Sequence, residues 1–194
     1  MSGQAFTLFA HATIFGTPLA LALVDNVVLP VTGGAAGAGV NGTFIPGLAA
    51  SGTATDTTTG SVLPSPHSAS DSRIQGLSLL NGLITADVVD ASCTSAAGGG
   101  NPASTSVNTT FVNLHLAGVA VTVAIGPNST IRVPFNGGVV DLILNQQSTS
   151  GNGTTDTSGT VNALHLYVLN GSGLVTLEVI VASAHCDAHT GQLP

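Results

Sequence analysis

Residues 185–189 contain the densest run of side chains that could carry chemistry. His185, Cys186, Asp187 and His189 offer imidazole, thiol and carboxylate groups, which are ligands for zinc and other transition metals. A zinc site needs three or four ligands that converge on one point, and this run lies at the end of an apolar strand pattern. We therefore expect a capped strand end rather than a metal site, and we predict no metal and no cofactor.

Two other histidines occupy matching places in similar segments. His115 follows Val112-Asn113-Leu114, and His165 follows Val161-Asn162-Ala163-Leu164. They could face each other across a sheet, either as packed, hydrogen-bonded side chains or as a catalytic base, and we expect the packed role. The sequence has no Gly-x-Ser-x-Gly nucleophile elbow and no phosphate-binding loop. We predict that no residue is catalytic and that the protein is not an enzyme.

The sequence neither predicts nor excludes calcium binding. Ca²⁺ binds carboxylate and carbonyl oxygens, and several aspartates lie in or near predicted loops. No EF-hand loop and no Gly-Gly-x-Gly-x-Asp repeat occurs among them. The aspartates concerned are Asp56, Asp71, Asp87, Asp90, Asp141 and Asp156.

Charged residues are scarce throughout the 194-residue chain. They make up 6% of the sequence, whereas about 25% is usual for a folded domain. Lys is absent, Arg73 and Arg132 are the only basic residues, and the formal net charge is -7. Phosphate binding needs clustered Lys and Arg, so we predict no nucleic-acid partner and no attraction to anionic membranes. This composition favours a secreted coat, sheath or filament protein.

The apolar residues indicate an all-β fold. They are mostly Val, Leu, Ile and Ala, and the β-branched types together with abundant Thr fit a pleated sheet. Turn signals recur at Asn81-Gly82, Asn136-Gly137-Gly138 and Asn170–Gly173 between apolar runs. We predict an antiparallel, β-sandwich-like domain with long loops rich in Gly, Thr and Ser.

Individual strands and loops can be placed along the chain. Phe6–Phe15 and Leu19–Val31 are predicted as the first pair of strands, joined through Gly16-Thr17-Pro18. In the strand that begins at Arg73, we expect Ile74, Gly76, Ser78 and Leu80 to point to one side. Polar and Gly-rich stretches predict loops at 33–42, 95–106 and 148–158, and a loop or a strand at 51–72.

The two cysteines end two similar apolar strands. Gly82–Cys93 resembles Gly173–Cys186, and both are followed by polar or small residues. If these strands are neighbours in one sheet, their ends lie about 5 Å apart, which suits a disulfide. We therefore predict a Cys93–Cys186 bridge, with two buried free thiols as the alternative. A disulfide implies an oxidising compartment.

No targeting or membrane segment is visible. The N-terminus lacks a basic region and a long apolar stretch, so we take any secretory signal as already removed. No run reaches the 18 or so apolar residues of a membrane helix, so we predict no membrane insertion. Five Asn-x-Ser/Thr sequons could carry glycans if the protein is exported. They begin at Asn41, Asn108, Asn128, Asn152 and Asn170.

The C-terminal part of the chain resembles the choice-of-anchor P family of bacterial surface proteins. The resemblance rests on Leu142–Gln147, on Thr160–Leu166 with its Asn-Ala-Leu-His block, and on Val179–His185. Gly76–Val89 fits the earlier part of the family pattern, so the match covers about residues 73–189. The resemblance implies a β-rich body, export and display at the cell surface, and it implies no activity. The chain shows no recognisable anchor segment.

These observations predict one domain with three parts. Residues 1–31 are an apolar strand segment that could be exchanged between subunits or pair within its own sheet. Residues 32–72 connect it to a choice-of-anchor P-like β domain at 73–194. We predict an extracellular structural protein, a homo-oligomer or polymer joined by strand addition. The alternative is a monomeric adhesin or carbohydrate-binding module.

Overall fold

The fold is an antiparallel β-sandwich, seen in a computed structural model that describes residues 1–14, 17–122 and 124–190. Phe15 and Gly16, named above in the first pair of strands, lie outside these residues. The described strands are β1 (Gly3–Ile14), β2 (Thr17–Val28), β3 (Gly34–Ile45), β4 (Ala49–Ser61), β5 (His67–Leu79), β6 (Ile84–Gly98), β7 (Asn101–Val112), β8 (His115–Leu116), β9 (Val119–Ala120), β10 (Ser129–Phe135), β11 (Gly138–Gly151), β12 (Asp156–Leu169) and β13 (Val175–His189).

Two sheets make up the sandwich. Sheet A has the order β10-β11-β12-β13-β1-β2, and sheet B has the order β3-β4-β5-β6-β8-β9, with β7 also paired to β6. The sheets face each other with β13 over β5 and β6, β12 over β6 and β7, and β1 over β4 and β5. The predicted all-β sandwich is confirmed. The 1–31 segment supplies β1 and β2, and in this chain β1 pairs with its own β13.

The core lies between the two sheets and is built from Leu, Val, Ile and Ala. Leu142, Leu144, Leu164 and Leu166 from sheet A are at most 1% exposed, and they pack in one cluster with the buried side chains of sheet B. Such side chains, inward-facing on one face of each sheet, are what an aligned sandwich requires. In the described ranges, no helix is long and apolar enough to cross a membrane.

The loops predicted at 33–42, 95–106 and 148–158 are wrong, whereas the strand alternative for 51–72 is confirmed. The stretch 33–42 lies largely in β3, and 51–72 forms most of β4 and the first part of β5. The stretch 95–106 is the end of β6 and the start of β7, and only 152–155 of the predicted loop 148–158 connects two strands. The reason is pairing: Thr and Ser fit a pleated surface, and small residues join a sheet when neighbouring strands satisfy their backbone groups.

The turn signals were more informative than the loop composition. Leu79 pairs with Ile84 around Asn81-Gly82, and Phe135 pairs with Gly138 around Asn136-Gly137. Asn136 and Gly137 have φ of 46° and 77°, as a two-residue hairpin turn with two left-handed residues requires. These hairpins are therefore confirmed.

Each sheet contains a row of residues, one on each strand that the row crosses, at which the alternation of side chains shifts by one position. Beyond this row, the residues that face the core are the ones that unbroken alternation would place on the solvent side. In sheet A the strand pairing skips one residue per strand, along Asn145, Ala163, Ala182, Thr7 and Asp25. Alternate members have left-handed φ values: 54° at Asn145, 51° at Ala182 and 46° at Asp25. In β13, Val179 and Val181 are buried before the row, and Ala182, Ala184 and Cys186 are buried from the row onward. We call this feature the inversion row of sheet A.

Sheet B has a matching inversion row at Gly42, Gly52, Gly76 and Asp87. Gly76 has φ of 62°, a conformation that glycine adopts without steric cost. As a result, Ile74 is buried before it, whereas Leu77 and Leu79 are buried after it. The expectation that Ile74, Gly76, Ser78 and Leu80 share one side is therefore wrong, because it assumed unbroken alternation.

Candidate functional site

The disulfide joins the two sheets rather than two neighbours in one sheet. Cys93 lies on β6 and Cys186 on β13, their Cα atoms are 5.7 Å apart, and both residues are fully buried. The predicted bridge is confirmed, and the expectation that its strands are neighbours is wrong. The similar segments are strands that face each other across the core, so their ends meet through the sandwich. The bridge fits an oxidising compartment.

Gly159 on β12 lets sheet A approach sheet B closely at the bridge. Gly159 pairs with Cys186 in sheet A, and a Cβ built on Gly159 would lie 2.5 Å from Thr105 Cγ2 and 3.3 Å from Cys93 Sγ. Packed sheets are usually about 10 Å apart, so small residues must line a place where backbones come nearer. The sequence identified the two cysteines, but nothing in it singled out Gly159.

The richest polar arrangement lies on the outer face of sheet A. We call it the polar face, and it consists of Gln146, Asn162, His165, Tyr167 and Glu178. Ser183 Oγ donates to Asn162 Oδ1 at 2.7 Å, and Asn162 Nδ2 donates to Gln146 Oε1 at 2.7 Å. These bonds fix the orientation of both amides. The result is a hydrogen-bond chain that crosses three strands.

His165 is the centre of the polar face. Its Nδ1 lies 2.7 Å from Gln146 Oε1 and its Nε2 lies 2.8 Å from Glu178 Oε1, and the residue is 6% exposed. Each ring nitrogen thus lies within hydrogen-bond distance of an oxygen acceptor. Within the described ranges, no hydroxyl or thiol is hydrogen-bonded to His165. The arrangement therefore has a paired base but no nucleophile beside it.

A charged row runs beside this cluster on the same face. Arg132 pairs across the strands with Asp141, Asp141 with Tyr167, Tyr167 with Glu178, and Glu178 with His11. Arg132 contacts Asp141 through both Nε and Nη2, at 2.5 and 2.6 Å. The hydrogen bond from this guanidinium, together with its charge, lowers the pKa of the Asp141 carboxyl. The sequence's single Tyr, single Glu and one of its two Arg thus lie together.

Tyr167 gives this face an aromatic surface beside charged groups. Its ring centroid lies 4.5 Å from that of His165, and a depression of about 550 Å³ is lined by Tyr167, Arg132 and Asp141 together with Ile131 and Ile143. Burial and then the negative charge of Glu178 raise the pKa of the Tyr167 hydroxyl, so it remains a hydrogen-bond donor. An aromatic ring next to carboxylates and amides is suited to a polar, ring-shaped ligand such as a sugar.

The structure does not bring the other candidate residues together. His115 lies on β8 in sheet B and His165 on β12 in sheet A, so the two histidines do not face each other. In β13, Cys186 is buried in the disulfide, while Asp187 accepts hydrogen bonds from Ser2. No group of three or more His, Cys, Asp or Glu side chains converges among the residues that the structure describes.

The aspartates named for calcium are also dispersed. Asp141 pairs with Arg132, Asp90 lies 3.5 Å from Arg73, Asp87 accepts from Asn113, and Asp156 holds a turn at Asn152. Asp56 alone is fully buried, on β4 between the sheets. The segment around Asp56, predicted as a loop or a strand, is a strand of sheet B whose register buries this side chain.

The five sequon asparagines fall into two groups. Asn128, Asn152 and Asn170 use their side chains in turns; the Asn152 Oδ1, for example, accepts from the backbone N–H of Thr154, Thr155 and Asp156. Asn41 on β3 and Asn108 on β7 are exposed on strands. Turn geometry alone accounts for Asn in the first group, since Asn favours such turns. Asn41 and Asn108 are therefore the better glycan candidates.

One side of the sandwich presents two long open strand edges. β2 ends sheet A and β3 ends sheet B, and the two strands contact each other. β3 has twelve residues without a charge or a proline, and β2 carries one charge, Asp25, and one proline, Pro18. Leu23, Val28 and Phe44 near these edges are 55%, 56% and 76% exposed. By contrast, β10 at the opposite end of sheet A is short and contains Arg132 and Pro134.

Comparisons with known proteins return no match: no family model fits the chain, and no curated protein and no solved structure is significantly similar to it. The resemblance to the choice-of-anchor P family therefore stays a prediction.

Proposed function

We propose that this chain is a non-catalytic structural subunit outside the cell, which assembles when strand edges of one copy pair with those of the next. The observation that carries the proposal is the open edge of β3 beside that of β2. Natural proteins protect edge strands with Lys, Pro, bulges or short length, because an unpaired edge is a template for another strand. The β3 edge has neither Lys nor Pro and is twelve residues long.

Composition and the disulfide support the same proposal. A cross-linked, Lys-free, charge-poor sandwich is suited to a durable coat or filament in an oxidising environment. The His165 cluster has no nucleophile in reach among the described residues, which favours a non-catalytic role. Cell-surface display is the location that we propose, in line with the resemblance noted in the sequence.

The test is to block the β3 edge with charge. Ala35→Lys/Asn41→Lys places two lysines on solvent-facing positions of β3, and lysines on edge strands oppose strand addition. We expect the wild-type protein to form fibres or sheets in negative-stain microscopy and light scattering. The double variant should remain monomeric under the same conditions.

A matched control separates edge blocking from the change in net charge. Thr53→Lys/Thr59→Lys alters the residues directly opposite Asn41 and Ala35 on β4, which are also exposed. Because β4 is paired on both sides, this variant should assemble like the wild type. A wild-type protein that remains a monodisperse monomer would overturn the proposal, and equal assembly of both variants would exclude β3 as the joint.

The polar face supports a second candidate function, a secreted carbohydrate-binding module. The specific observation is Tyr167 beside Glu178 and the Arg132–Asp141 pair, since sugar sites combine an aromatic ring with carboxylates. On a glycan array, binding by the wild type is expected to fall at least tenfold in Tyr167→Ala and to survive in Tyr167→Phe. No binding at high protein concentration would remove this candidate.

A further inference from the structure

Asp56, between the sheets, and Asp25, on the edge strand β2, each have a buried carboxylate oxygen without a partner. These atoms are Oδ1 of Asp56 and Oδ2 of Asp25, and neither accepts a hydrogen bond from the described part of the chain. Asp56 is 0% exposed. Buried polar atoms are almost always hydrogen-bonded, so two such oxygens call for an explanation.

Thr7 brings the two carboxylates together from different sheets. In sheet A, Phe6 pairs with Asn26 and Leu8 with Val24, which places Thr7 opposite Asp25 on the inversion row. Directly opposite residues have Cβ atoms about 4.5–5.5 Å apart. Thr7 Oγ1 donates to Asp56 Oδ2 at 2.7 Å, across the interior from β4. Thr7 therefore bonds Asp56 directly and lies opposite Asp25 in the sheet.

The electrostatics at this place are unfavourable for the protein alone. Burial raises the pKa of Asp56 to about 6, although hydrogen bonds from the Ser72 and Thr7 hydroxyls lower it, and the negative charge of Asp25 adds to the rise. A buried carboxyl group therefore lies near a second carboxyl group. The chain has no Lys, and its arginines lie beside Asp90 and Asp141. Buried carboxylates in proteins are paired or coordinate a metal, and in the part of the chain that the structure describes no Arg forms an ion pair with Asp25 or Asp56.

We propose that Asp25, Asp56 and the Thr7 hydroxyl form a low-affinity site for Ca²⁺. Carboxylate and hydroxyl oxygens select a hard cation, and the site has no His or Cys that would favour zinc. Two carboxylates are fewer than high-affinity sites use, so we expect a Kd of about 10⁻⁴–10⁻³ M, the range of extracellular calcium modules. This inference does not depend on the assembly proposed above.

The test measures Ca²⁺ binding and stability on the full chain. Calorimetric titration with CaCl₂ at pH 7.5 should give one site, and the urea midpoint should rise with CaCl₂ but not with NaCl of equal ionic strength. At a free Ca²⁺ concentration ten times Kd, the folding equilibrium constant should rise about tenfold. The calcium response should weaken as the pH falls, because protons compete with Ca²⁺ for the carboxylate oxygens.

Two isosteric variants make the result specific. Asp56→Asn should abolish the calcium response, whereas Asp71→Asn, with the same charge change on the neighbouring strand β5, should keep it. If Asp56→Asn fails to fold, Thr7→Val and Asp25→Asn test the same site, and each should abolish the calcium response. A wild-type protein whose stability ignores Ca²⁺ at pH 7.5 and rises only as pH falls from 7 towards 4 would overturn the proposal. That result would mean that a proton, and not a metal cation, neutralises Asp25 and Asp56.

Discussion

Replacing both cysteines with alanine, as Cys93→Ala/Cys186→Ala, is expected to lower the free energy of unfolding by about 4 kcal/mol. The bridge spans a sequence separation of 93 residues, so without it the unfolded chain regains the freedom of a very long loop. Both positions are fully buried, and alanine leaves no thiol or hydroxyl without a partner there. Urea unfolding of the double variant and of the oxidised wild type measures the difference, which corresponds to a fall in Tm of about 8–16 °C.

Reduction provides the control for this prediction. Wild-type protein in dithiothreitol should lose a similar amount of stability, while the double alanine variant should not respond to the reductant at all. The inter-sheet position matters for this reasoning, because the bridge ties together two sheets that share no strand pairing in the described part of the chain. Equal urea midpoints for oxidised and reduced wild-type protein would contradict the prediction.

The sequence was informative wherever local chemistry determines the backbone. Asn-Gly pairs at 81–82 and 136–137 mark two hairpins correctly, since left-handed turn residues are needed at those places whatever surrounds them. The partnership of Cys93 and Cys186 was also predictable from the similarity of their strands. The sheet to which each cysteine belongs was not, because similar strands can be neighbours in one sheet or face each other across two.

The strands with few large apolar residues were hard to predict for a different reason: β3 was predicted as a loop, and most of β4 as a loop or a strand. β3 contains Gly-Ala repeats and β4 a run of Thr, and neither shows the alternation that marks a half-buried strand. Their backbone groups are satisfied by strands that are adjacent to them in the chain, and the composition of one strand alone does not reveal that pairing. The polar face and the Asp25–Asp56 pair likewise depend on which residues the strand register brings together. For example, His165 meets Glu178 only because β12 and β13 pair as they do.

Burial beyond the inversion rows was the hardest feature to predict from the sequence, because the rows reverse which residues of a strand are buried. Single residues such as Gly76 and Ala182 change the side to which all later side chains of their strands point. A one-residue change of parity moves an entire set of side chains between core and solvent. Alternation counted through Gly76 therefore places Ser78 in the core, whereas the structure buries Leu77 and Leu79.

A pair of alanine substitutions distinguishes these two arrangements. Leu77→Ala is expected to lower the free energy of unfolding by about 2–5 kcal/mol, as is usual when a buried Leu is truncated. Leu77 is 3% exposed and packs in the main core cluster, which explains the size of the effect. Ser78→Ala should change the free energy by no more than about 0.5 kcal/mol, because its side chain faces outward. Urea unfolding of both variants gives the comparison.

Leu23→Ala serves as the matched control, since it is the same chemical change at a side chain that is 55% exposed. It should alter the free energy of unfolding by only about 0.5 kcal/mol. If Ser78→Ala were the damaging substitution and Leu77→Ala the harmless one, alternation would continue through Gly76. Sheet B would then have no inversion at β5, and the placement of Leu77 and Leu79 in the core would be wrong.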